Sequence, residues 1–378
     1  MQEKKYRVLW ICTWFPTRVK PCAGNFILRH LSCVQDFAEV DVLHIQFDPQ
    51  LPFFALDRAQ TMTHGCPAHV VYFGAHRYNK WIQILRAYLS GFRALWCSRK
   101  KYHLIHAHVM IHAGLFGSLF SKWVGKPLII SEHAGWFLPQ NPRPISLPYL
   151  WLARWIASRA QLVMPVSSTL VRAMQRLGIK GNYQVVPNVV DPGIFHPKQQ
   201  PESKVFTFLH VSNFNPAAKN ISGMLRAFAP LLGDRDDVQL IIAGDGPLDE
   251  VKRAIEYHAL PSAQVRLLGP LAEAQVASLM QRANALVQFS NYETFGCVVV
   301  EAWACGLPVI ATNVGGLRDL PATIRVKAGD VQELSAALER MVLVRTAMPP
   351  VDPARIVPFT VEAVSEQLQS IYQMVSAQ

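Results

Sequence analysis

The sequence predicts an α/β protein built from two doubly wound parallel-sheet domains. Three observations lead to this prediction. Short apolar runs of strand length alternate with helical stretches, the alternation restarts after residue 204, and a proline-containing segment separates the two halves. A length of 378 residues suits two domains of about 150 to 200 residues each.

The first half contains seven candidate strands, each a short apolar run that precedes a turn or a helical stretch. They are residues 6–14, 40–46, 70–73, 104–108, 128–132, 162–166 and 184–187. Residues 26–34 continue as an amphipathic helix instead of a small-residue cleavage site, so the apolar run before them is interpreted as a strand and not as a signal peptide.

Residues 77–101 are predicted to form a long helix. One side of this helix carries an apolar stripe at helical spacing, which ordinarily packs on the domain's own sheet. The stripe is Trp81, Ile84, Leu85, Tyr88, Phe92 and Leu95. Basic side chains accompany it and are expected to lie on the outer side. They are Arg77, Lys80, Arg86, Arg93, Lys100 and Lys101.

The second half restarts the pattern with six candidate strands. They are residues 205–211, 238–243, 265–269, 285–289, 308–312 and 323–326. Residues 295–305 are predicted to form a helix, which Gly306 and Pro308 end.

The segment 191–204 has three prolines and no periodicity, so it is the best candidate linker. We therefore expect a first domain at 1–195 and a second at 196–359, with a helix at about 360–378 packing back on the first. Two such sheets leave a cleft between them, and ligands favour the carboxyl ends of the strands that face it.

The net charge of +11 is unevenly distributed along the chain. Residues 1–200 hold 23 basic and 8 acidic residues, whereas residues 201–378 hold 14 and 18. Between Arg58 and Lys180 there is a single acid, Glu132. Such asymmetry indicates an anionic partner for the first half: a membrane surface, a nucleic acid or a phosphorylated substrate.

The cysteine pattern and the lengths of the apolar runs limit the cellular compartments and membrane topologies that we expect. Seven scattered cysteines without a C-x-x-C pair are typical of reduced thiols and not of a disulfide framework. No uninterrupted apolar stretch reaches about 18 residues, so no transmembrane helix is expected.

Two glutamates frame the stretch "ETFGCVVVE". Glu293 lies just before the predicted helix and Glu301 about two turns into it. Residues eight apart lie roughly 80° apart around a helix, so both side chains can serve one cleft. An alternative for Glu293 is an acidic residue at a helix start, which the helix dipole favours. Glu301 instead lies among the mostly apolar residues of 298–303, so its carboxylate needs a charged or hydrogen-bonding partner.

Three further strand ends carry candidate phosphate-binding features. The stretch "SNFNPAAKN" passes Asn213 and delivers Lys219 near a helix start, a combination suited to a diphosphate, although a surface lysine is also expected there. "AGDGP" places Gly244 in a strand–turn–helix, which is a weak signal without a third glycine. "AGNF" places Gly24 at a helix entry, where a plain turn is an equal alternative.

The sequence does not favour a metal site. His103, His106, His108 and His112 straddle a strand end, but no neighbouring cysteine or carboxylate completes a ligand set. The D-x-D pattern within residues 234–237 precedes a strand, so it is expected at the edge away from the cleft. Glu132 and His133 lie at the carboxyl end of a predicted strand, the end of the sheet where ligands favour binding.

Taken in order, these stretches resemble retaining family-4 glycosyltransferases of the GT-B fold, which have two Rossmann-like domains facing across a cleft. The resemblance covers nearly the whole chain. Its most specific part is Glu293, seven residues, Glu301, then "GLPVIAT" and Gly315-Gly316. The stretches "VVPNVVDPGIFHP", "VMPVSSTL", "AGDGP" and "VRLLGPL" support it.

The resemblance implies a role for each matching position. Glu301 would hold the nucleotide ribose and pair its charge with the donor instead of with protein. Lys219 would bind the phosphates, and Glu293 and His133 would face the transferred sugar. Backbone groups and small residues would complete the donor site; these are Thr294, Phe295, Gly296, Gly24, Asn213 and Gly244. Asn213 stands where the family usually has an arginine, and Ala23-Gly24 stands where it often has two glycines.

The implied reaction moves a sugar from a UDP- or GDP-linked donor to a glycan or lipid-linked acceptor of the cell envelope. It needs no metal and no further cofactor, because Lys219 and a helix start stabilise the leaving diphosphate. We expect a cytoplasmic protein, peripheral on the inner face of an anionic membrane, that does not bind nucleic acid. A GT-B nucleotide-sugar epimerase is the alternative, and a basic nucleic-acid-binding protein is a weaker one.

Overall fold

The computed structural model describes residues 6–76, 79–97, 100–198, 203–320, 322–344 and 352–377. Within these ranges the chain folds around two sheets, each covered by helices on both faces. The first sheet contains β1 (Tyr6–Cys12), β2 (Ala38–Phe47), β3 (Leu56–Thr63), β4 (Cys66–Phe73), β5 (Leu104–His108), β6 (Leu128–Glu132) and β7 (Leu162–Pro165). The second contains β8 (Phe206–Ser212), β9 (Val238–Gly244), β10 (Val265–Leu267), β11 (Ala285–Gln288), β12 (Val309–Thr312) and β13 (Ile324–Val326). The predicted fold class is confirmed.

Helices connect these strands and cover the sheets. In the first domain they are α1 (Asn25–Val34), α2 (Lys80–Cys97), α3 (Leu115–Val124), α4 (Leu147–Ala157) and α5 (Ser168–Arg176). In the second they are α6 (Pro216–Lys219), α7 (Ile221–Asp234), α8 (Leu248–Tyr257), α9 (Glu273–Arg282), α10 (Cys297–Ala304) and α11 (Val331–Val344), and the chain continues to α12 (Val361–Ser376). Among these helices, none is both long and apolar enough to cross a bilayer.

Both sheets reverse their strand order at one point, and this decides where a ligand can bind. Among the described residues the orders are β3-β4-β2-β1-β5-β6-β7 and β10-β9-β8-β11-β12-β13. The chain therefore moves outward from β1 and from β8, then returns to β5 and to β11 on the other side. A crevice forms at the carboxyl ends of the strands at such a reversal. The two crevices are those of β1 and β5 and of β8 and β11.

The first sheet differs from the prediction at two places: one strand was missed, and the predicted strand at residues 184–187 was wrong. β3 was not predicted, and it runs antiparallel to β4 at the sheet edge. Its sequence, LDRAQTMT, is mostly exposed and lacks a regular apolar alternation. Residues 184–187 lie beside β7, to which Gln184 N–H donates at 3.1 Å. The isolated bridge described there joins the preceding residue, Tyr183, to Val163, and Pro187 lacks the N–H that a continuing ladder needs.

The long predicted helix is shorter than expected, and its apolar stripe is divided. α2 spans Lys80–Cys97, Lys100 and Lys101 follow it without helical structure, and Arg77, Tyr78, Ser98 and Arg99 lie outside the described residues. Ile84, Tyr88, Phe92 and Leu95 are buried, as expected. Trp81 and Leu85 are exposed by 46% each, so their assignment to the buried face was wrong.

The last helix packs on the first sheet and not on the second. α12 lies against α1, and it buries Leu368, Ile371, Tyr372 and Val375 in a cluster with β1 residues. Tyr372 Oη accepts a hydrogen bond from Trp10 Nε1 at 3.0 Å. Burial of each such apolar side chain is worth roughly 1.5–3 kcal/mol. This helix therefore fastens the end of the chain to the domain in which the chain begins.

Candidate functional site

A cleft of about 380 Å³ lies between the two sheets, where both strand-order reversals meet. Side chains from both domains line it, among them Asn25, Arg29 and His133 of the first and Lys219 and Glu301 of the second. Direct bonds hold the domains together beside it: Ser167 Oγ donates to Thr294 O at 2.7 Å, and Asp319 accepts from Ser168 Oγ at 2.9 Å. The two domains thus meet around a pocket that both polar and apolar side chains line.

The loop that follows β11 forms one wall of this pocket. It carries Glu293, Thr294, Phe295 and Gly296, all of which line the pocket. The glycine pair packs directly beneath the loop, because Gly316 N–H donates to Glu293 O at 2.7 Å. A Cβ on Gly315 would lie 1.9 Å from Glu293 O, so no other residue fits there without displacing the loop. The Gly-Gly motif therefore shapes the position of Glu293.

The start of α10 provides backbone donors to the same pocket. Gly296 precedes the helix with φ 103°, and a Cβ there would lie 2.5 Å from Leu317 Cδ2. The first N–H groups of a helix have no partner within the helix, and the helix dipole favours an anion next to them. This wall can therefore receive a phosphate group.

Lys219 reaches the pocket from the end of α6 and forms an ion pair with Glu293. The exposed fractions of the two side chains are 13% and 16%, so the pair is largely screened from solvent. Asn215 caps α6 by accepting from Ala217 N–H at 3.1 Å, and α7 begins after Asn220 at φ 46°. This break between two helices directs Lys219 toward Glu293, its partner in the structure.

Glu301 has a protein partner, which corrects the expectation that its charge is paired only with the donor. Arg29 of α1 lies 2.7 Å from Glu301 Oε1 and 2.9 Å from Glu273 Oε1. Arg29 also donates to Val189 O at 3.0 Å. A buried carboxylate needs such a partner, and here it comes from the other domain. A ribose that binds Glu301 would either share this carboxylate with Arg29 or displace the Arg29 guanidinium from it.

Sequence reasoning missed Arg29 and assigned no cation to the position of the family's usual arginine. Asn213 occupies that position at the edge of the pocket, and its side chain accepts from Asn215 N–H at 3.3 Å. Arg29 supplies a second positive charge from the opposite wall. One sequence signal could have identified Arg29: it is the one Lys or Arg residue within α1, whose sequence is NFILRHLSCV.

Two glycines allow close backbone approach at the pocket's edge. Gly244 lines the pocket at the end of β9, and a Cβ there would lie 1.7 Å from Ser212 O. Gly24 precedes α1 with φ 76°, and a Cβ there would lie 2.8 Å from Trp14 O. Gly24 does not line the pocket itself, but the next residue, Asn25, does.

His133 lies at the carboxyl end of β6, in a loop that Glu132 fixes. The Glu132 carboxylate accepts backbone N–H groups of Met110, His133 and Ala134 at 2.7, 2.8 and 2.7 Å. Burial raises the pKa of Glu132 to about 7, against the opposite effect of these hydrogen bonds. Its role in the structure is to hold the loop that presents His133 to the pocket.

The histidines that meet behind the pocket are not the set that the sequence suggested. His30, His108 and His133 are buried, with ring nitrogens within 4.8 Å of one another. His103 instead accepts from Arg7 N–H at 2.8 Å, and His112 stacks on Trp81. Burial lowers the pKa of His30 to about 4 and that of the other two well below 6.5. Three neutral imidazoles are suitable ligands for a transition metal, but no carboxylate belongs to the group.

Two family models match consecutive parts of the chain. The model described as "Glycosyl transferase 4-like domain" matches residues 27–189, and "Glycosyl transferases group 1" matches residues 193–344. The first match lies on β2–β7 with most of α1, and the second on β8–β13. Together they cover both walls of the cleft.

Curated relatives align with parts of the chain. It is 27% identical over 255 residues to one subunit of human phosphatidylinositol N-acetylglucosaminyltransferase, covering 65% of this chain and 51% of that protein. It is 26% identical over 233 residues to Bacillus anthracis N-acetyl-alpha-D-glucosaminyl L-malate synthase, covering 59% of each. The matches thus span between half and three-fifths of the length of these relatives.

Solved structures share the fold at low sequence identity. Sucrose-phosphate synthase from Thermosynechococcus elongatus superimposes with a TM-score of 0.79 at 20% identity, covering 99% of this chain and 100% of that one. Anabaena HepE in complex with UDP and glucose gives 0.76 at 20% identity, covering 98% and 100%. These structures and the paired sheets around one cleft show the GT-B fold. The two family models, which together match most of the chain, show that it belongs to the family-4, or group 1, glycosyltransferases.

Proposed function

We propose that this protein is a retaining glycosyltransferase that moves a sugar from a UDP- or GDP-linked donor to an acceptor hydroxyl. The observation that carries the proposal is the convergence of Lys219, Glu293 and the start of α10 in a pocket that Glu301 also lines. A cation and free backbone N–H groups suit a diphosphate, and a buried carboxylate suits a ribose diol.

The residues of the pocket take distinct roles in this proposal. Glu301 accepts hydrogen bonds from the ribose hydroxyls, and Lys219 with the first N–H groups of α10 binds the diphosphate. Glu293 and His133 lie beside the transferred sugar. Thr294, Phe295 and Gly296 shape the wall at the sugar and diphosphate. Asn213 and Gly244 line the same pocket, and Gly24 forms the turn that leads into Asn25, which also lines it.

The bond from the sugar's anomeric carbon to the diphosphate oxygen breaks as the acceptor oxygen bonds to that carbon from the same face. The acceptor proton passes to the leaving diphosphate. Lys219 stabilises the developing negative charge in a pocket that is largely screened from bulk solvent, where such stabilisation is strongest. The protein itself supplies the charge stabilisation in this scheme, so the proposed reaction needs no metal.

The acceptor is proposed to be a cell-envelope glycan or a lipid-linked sugar. The basic first domain favours an acceptor at an anionic surface, and we place the protein on the cytoplasmic face of the membrane. One relative is named as a phosphatidylinositol N-acetylglucosaminyltransferase subunit, which supports a lipid acceptor, and another as an L-malate synthase, which supports a soluble one.

The test is incubation of the purified chain with a panel of UDP- and GDP-sugars, with and without membrane lipid extract. We expect nucleotide release from one donor, stimulated by the extract, and a product that keeps the donor's anomeric configuration by NMR. Conversion of the free donor to its epimer without an acceptor would instead identify an epimerase. An inverted product would contradict the retaining mechanism.

A further inference from the structure

Three neighbouring helices cover one face of the first sheet, and each buries only one of its sides. α2 packs on β2 and β4, α3 on β5 and β6, and α4 beside α3. Their inner sides are apolar in the ordinary way, with Tyr88, Phe116 and Ile156 buried. The inner sides of the helices alone therefore supply the apolar surface that packs in the domain core.

The outer sides of the same helices are also apolar. The exposed residues there are Trp81, Ile82, Leu85, Leu89, Trp96, Leu119, Trp123, Leu147, Tyr149, Trp151 and Trp155. These are 11 of the 18 large apolar side chains that are exposed in the described part of the chain, on helices of 18, 10 and 11 residues. A contiguous concentration of exposed apolar side chains indicates an interaction surface, whereas single exposed apolar residues scattered over a molecule are ordinary. We call it the tryptophan face.

A groove runs along this face between α2 and α3. Trp96 and Trp123 stack at one end of it with ring centroids 4.5 Å apart, and Leu89 and Leu119 line its walls. The groove has a volume of about 530 Å³. The stacked pair is itself exposed, by 57% and 59%, so the domain's own chain does not cover it among the described residues.

The charges around the tryptophan face have one sign. The three helices carry five basic residues, Lys80, Arg86, Arg93, Lys122 and Arg154, and no acidic residue. The guanidinium of Arg154 lies over the Trp151 ring, and that of Arg159 over the Trp155 ring at 4.8 Å from its centroid. The partner of this face is therefore anionic where it meets the basic groups and apolar where it meets the aromatic rings.

An anionic lipid bilayer has this combination of properties. Tryptophan and tyrosine favour the boundary between headgroups and acyl chains, and long basic side chains extend from there to the headgroups. A second copy of this chain docked through the same face would bring five positive charges against five. That repulsion makes a symmetric dimer unfavourable.

The position of the face relative to the cleft links docking to acceptor binding. α2 begins near the carboxyl ends of the strands, where Trp81 stacks on His112 in the segment after β5. The strand end of β5 belongs to the crevice of the first domain. α2 and α3 then run toward the amino ends of β5 and β6, so Trp81 lies at the cleft end of the tryptophan face and the Trp96–Trp123 pair at its far end. A bilayer that contacts the whole length of the face therefore reaches, at Trp81, the first-domain side of the cleft mouth.

We propose that the tryptophan face inserts into an anionic bilayer and presents the cleft to acceptors that are embedded in the lipid. The proposal deepens the proposed function by fixing the acceptor class as lipid-linked, and it rests on that function only for this last step. Insertion itself is independent of the transfer reaction. Charge alone would give docking that salt abolishes, whereas inserted aromatic rings give docking that salt only weakens.

The experiment compares the full chain with a Trp96→Ser/Trp123→Ser variant. Binding is measured by co-sedimentation with vesicles of phosphatidylcholine alone, and of phosphatidylcholine mixed with phosphatidylglycerol, at low and high salt. We expect the parent to bind the anionic vesicles at both salt concentrations, and the variant to bind them about tenfold more weakly. Lipids brominated in their acyl chains should quench tryptophan fluorescence of the parent and less that of the variant.

The matched control is Tyr257→Ser/Leu343→Ser, which removes exposed apolar side chains from the second domain. It should bind as the parent does. Donor hydrolysis without acceptor is measured for all proteins and should not change, so failure of vesicle binding is distinguishable from failure of the transferase. Thermal unfolding verifies that each variant is folded.

Several outcomes would overturn the proposal. These are absence of parent binding to any vesicle, equal binding of parent and tryptophan variant, complete loss of parent binding at high salt, and a dimer that the tryptophan variant converts to monomer.

Discussion

The two domains share one architecture but differ in what they expose. Of the 18 exposed large apolar side chains in the described ranges, 14 precede residue 198 and two lie between residues 203 and 344. The first domain also contains most of the buried histidines, whereas His210 is the one buried histidine described in the second. In the second domain, the partly buried charged side chains instead lie in the cleft: these are the Lys219–Glu293 ion pair and Glu301.

This difference indicates a division of labour. The cleft wall of the second domain holds its charges in ion pairs, which we propose a donor rearranges. The outer face of the first domain holds charges of one sign, which we propose meet an anionic surface. Substitutions in the two regions should therefore affect different measurements. The following predictions use that separation, from the largest expected effect to the smallest.

Lys219→Ala should lower kcat/KM by about 10²- to 10³-fold, because it removes the cation that stabilises the leaving diphosphate. Steady-state nucleotide release measures this, and vesicle binding should not change. Lys252→Ala, at an exposed lysine of the same domain, is the control. Near-normal kcat/KM in the Lys219→Ala variant would contradict the assignment of Lys219 to the diphosphate.

Glu301→Gln should raise KM for the donor by about tenfold or more, because hydrogen bonds to a charged group contribute about 1.5–3 kcal/mol. Glu273→Gln is the matched control, since Glu273 shares Arg29 but is more exposed, at 33%. Calorimetric titration with UDP and GDP measures the binding step directly. Equal effects of the two substitutions would show that loss of the Arg29 contacts, and not ribose binding, explains the change.

Mild acid should destabilise the first domain more than the second. Burial lowers the pKa of His30 to about 4, and it also lowers those of His44, His106, His108 and His133. The unfolded chain binds protons at these residues near pH 6.5, before the folded chain does. The stability contributed by these histidines is therefore complete above about pH 6.5 and falls as the pH drops toward about 4. Glu132, whose pKa burial raises to about 7, has the opposite effect and offsets one of the five histidines.

Tryptophan fluorescence can follow this change, because Trp303 is the one tryptophan of the second domain and the other eight belong to the first. Each histidine in that window contributes about 1.4 kcal/mol per pH unit. His44→Gln should reduce the slope, and the control His64→Gln, at an exposed position, should not. An unfolding free energy that does not change between pH 7 and pH 5 would contradict the prediction.

Excess EDTA should leave the rate of transfer unchanged, since the proposed charge stabilisation uses Lys219 and the start of α10. The group of His30, His108 and His133 makes this a demanding test, because it is the one place in the described chain with three such potential ligands together. Metal content by mass spectrometry should accompany the assay. A rate that EDTA removes and Mg²⁺, Mn²⁺ or Zn²⁺ restores would refute metal independence.

The sequence was most informative where structure depends on nearby residues. β5 and β6 were predicted with their observed bounds, and the strands of the second sheet to within two residues at each end. β3 escaped prediction because an edge strand with exposed side chains on both faces has no apolar pattern. Residues 184–187 were wrongly predicted as a strand, because their apolar content does not show whether a ladder of backbone hydrogen bonds continues along them.

The sequence by itself determined the alternation of strands and helices, the positions of Glu293 and His133 after strands, and that of Lys219 beside a helix end. It did so because helix and strand periods and glycine constraints act over a few residues. Only the tertiary structure decided that Arg29 pairs with Glu301, that His30 joins His108 and His133, and that the Trp81 side of α2 faces outward. Such contacts join residues far apart in the chain. A helix that is apolar on two sides does not specify which side the sheet will bury; the packing of the domain decides that.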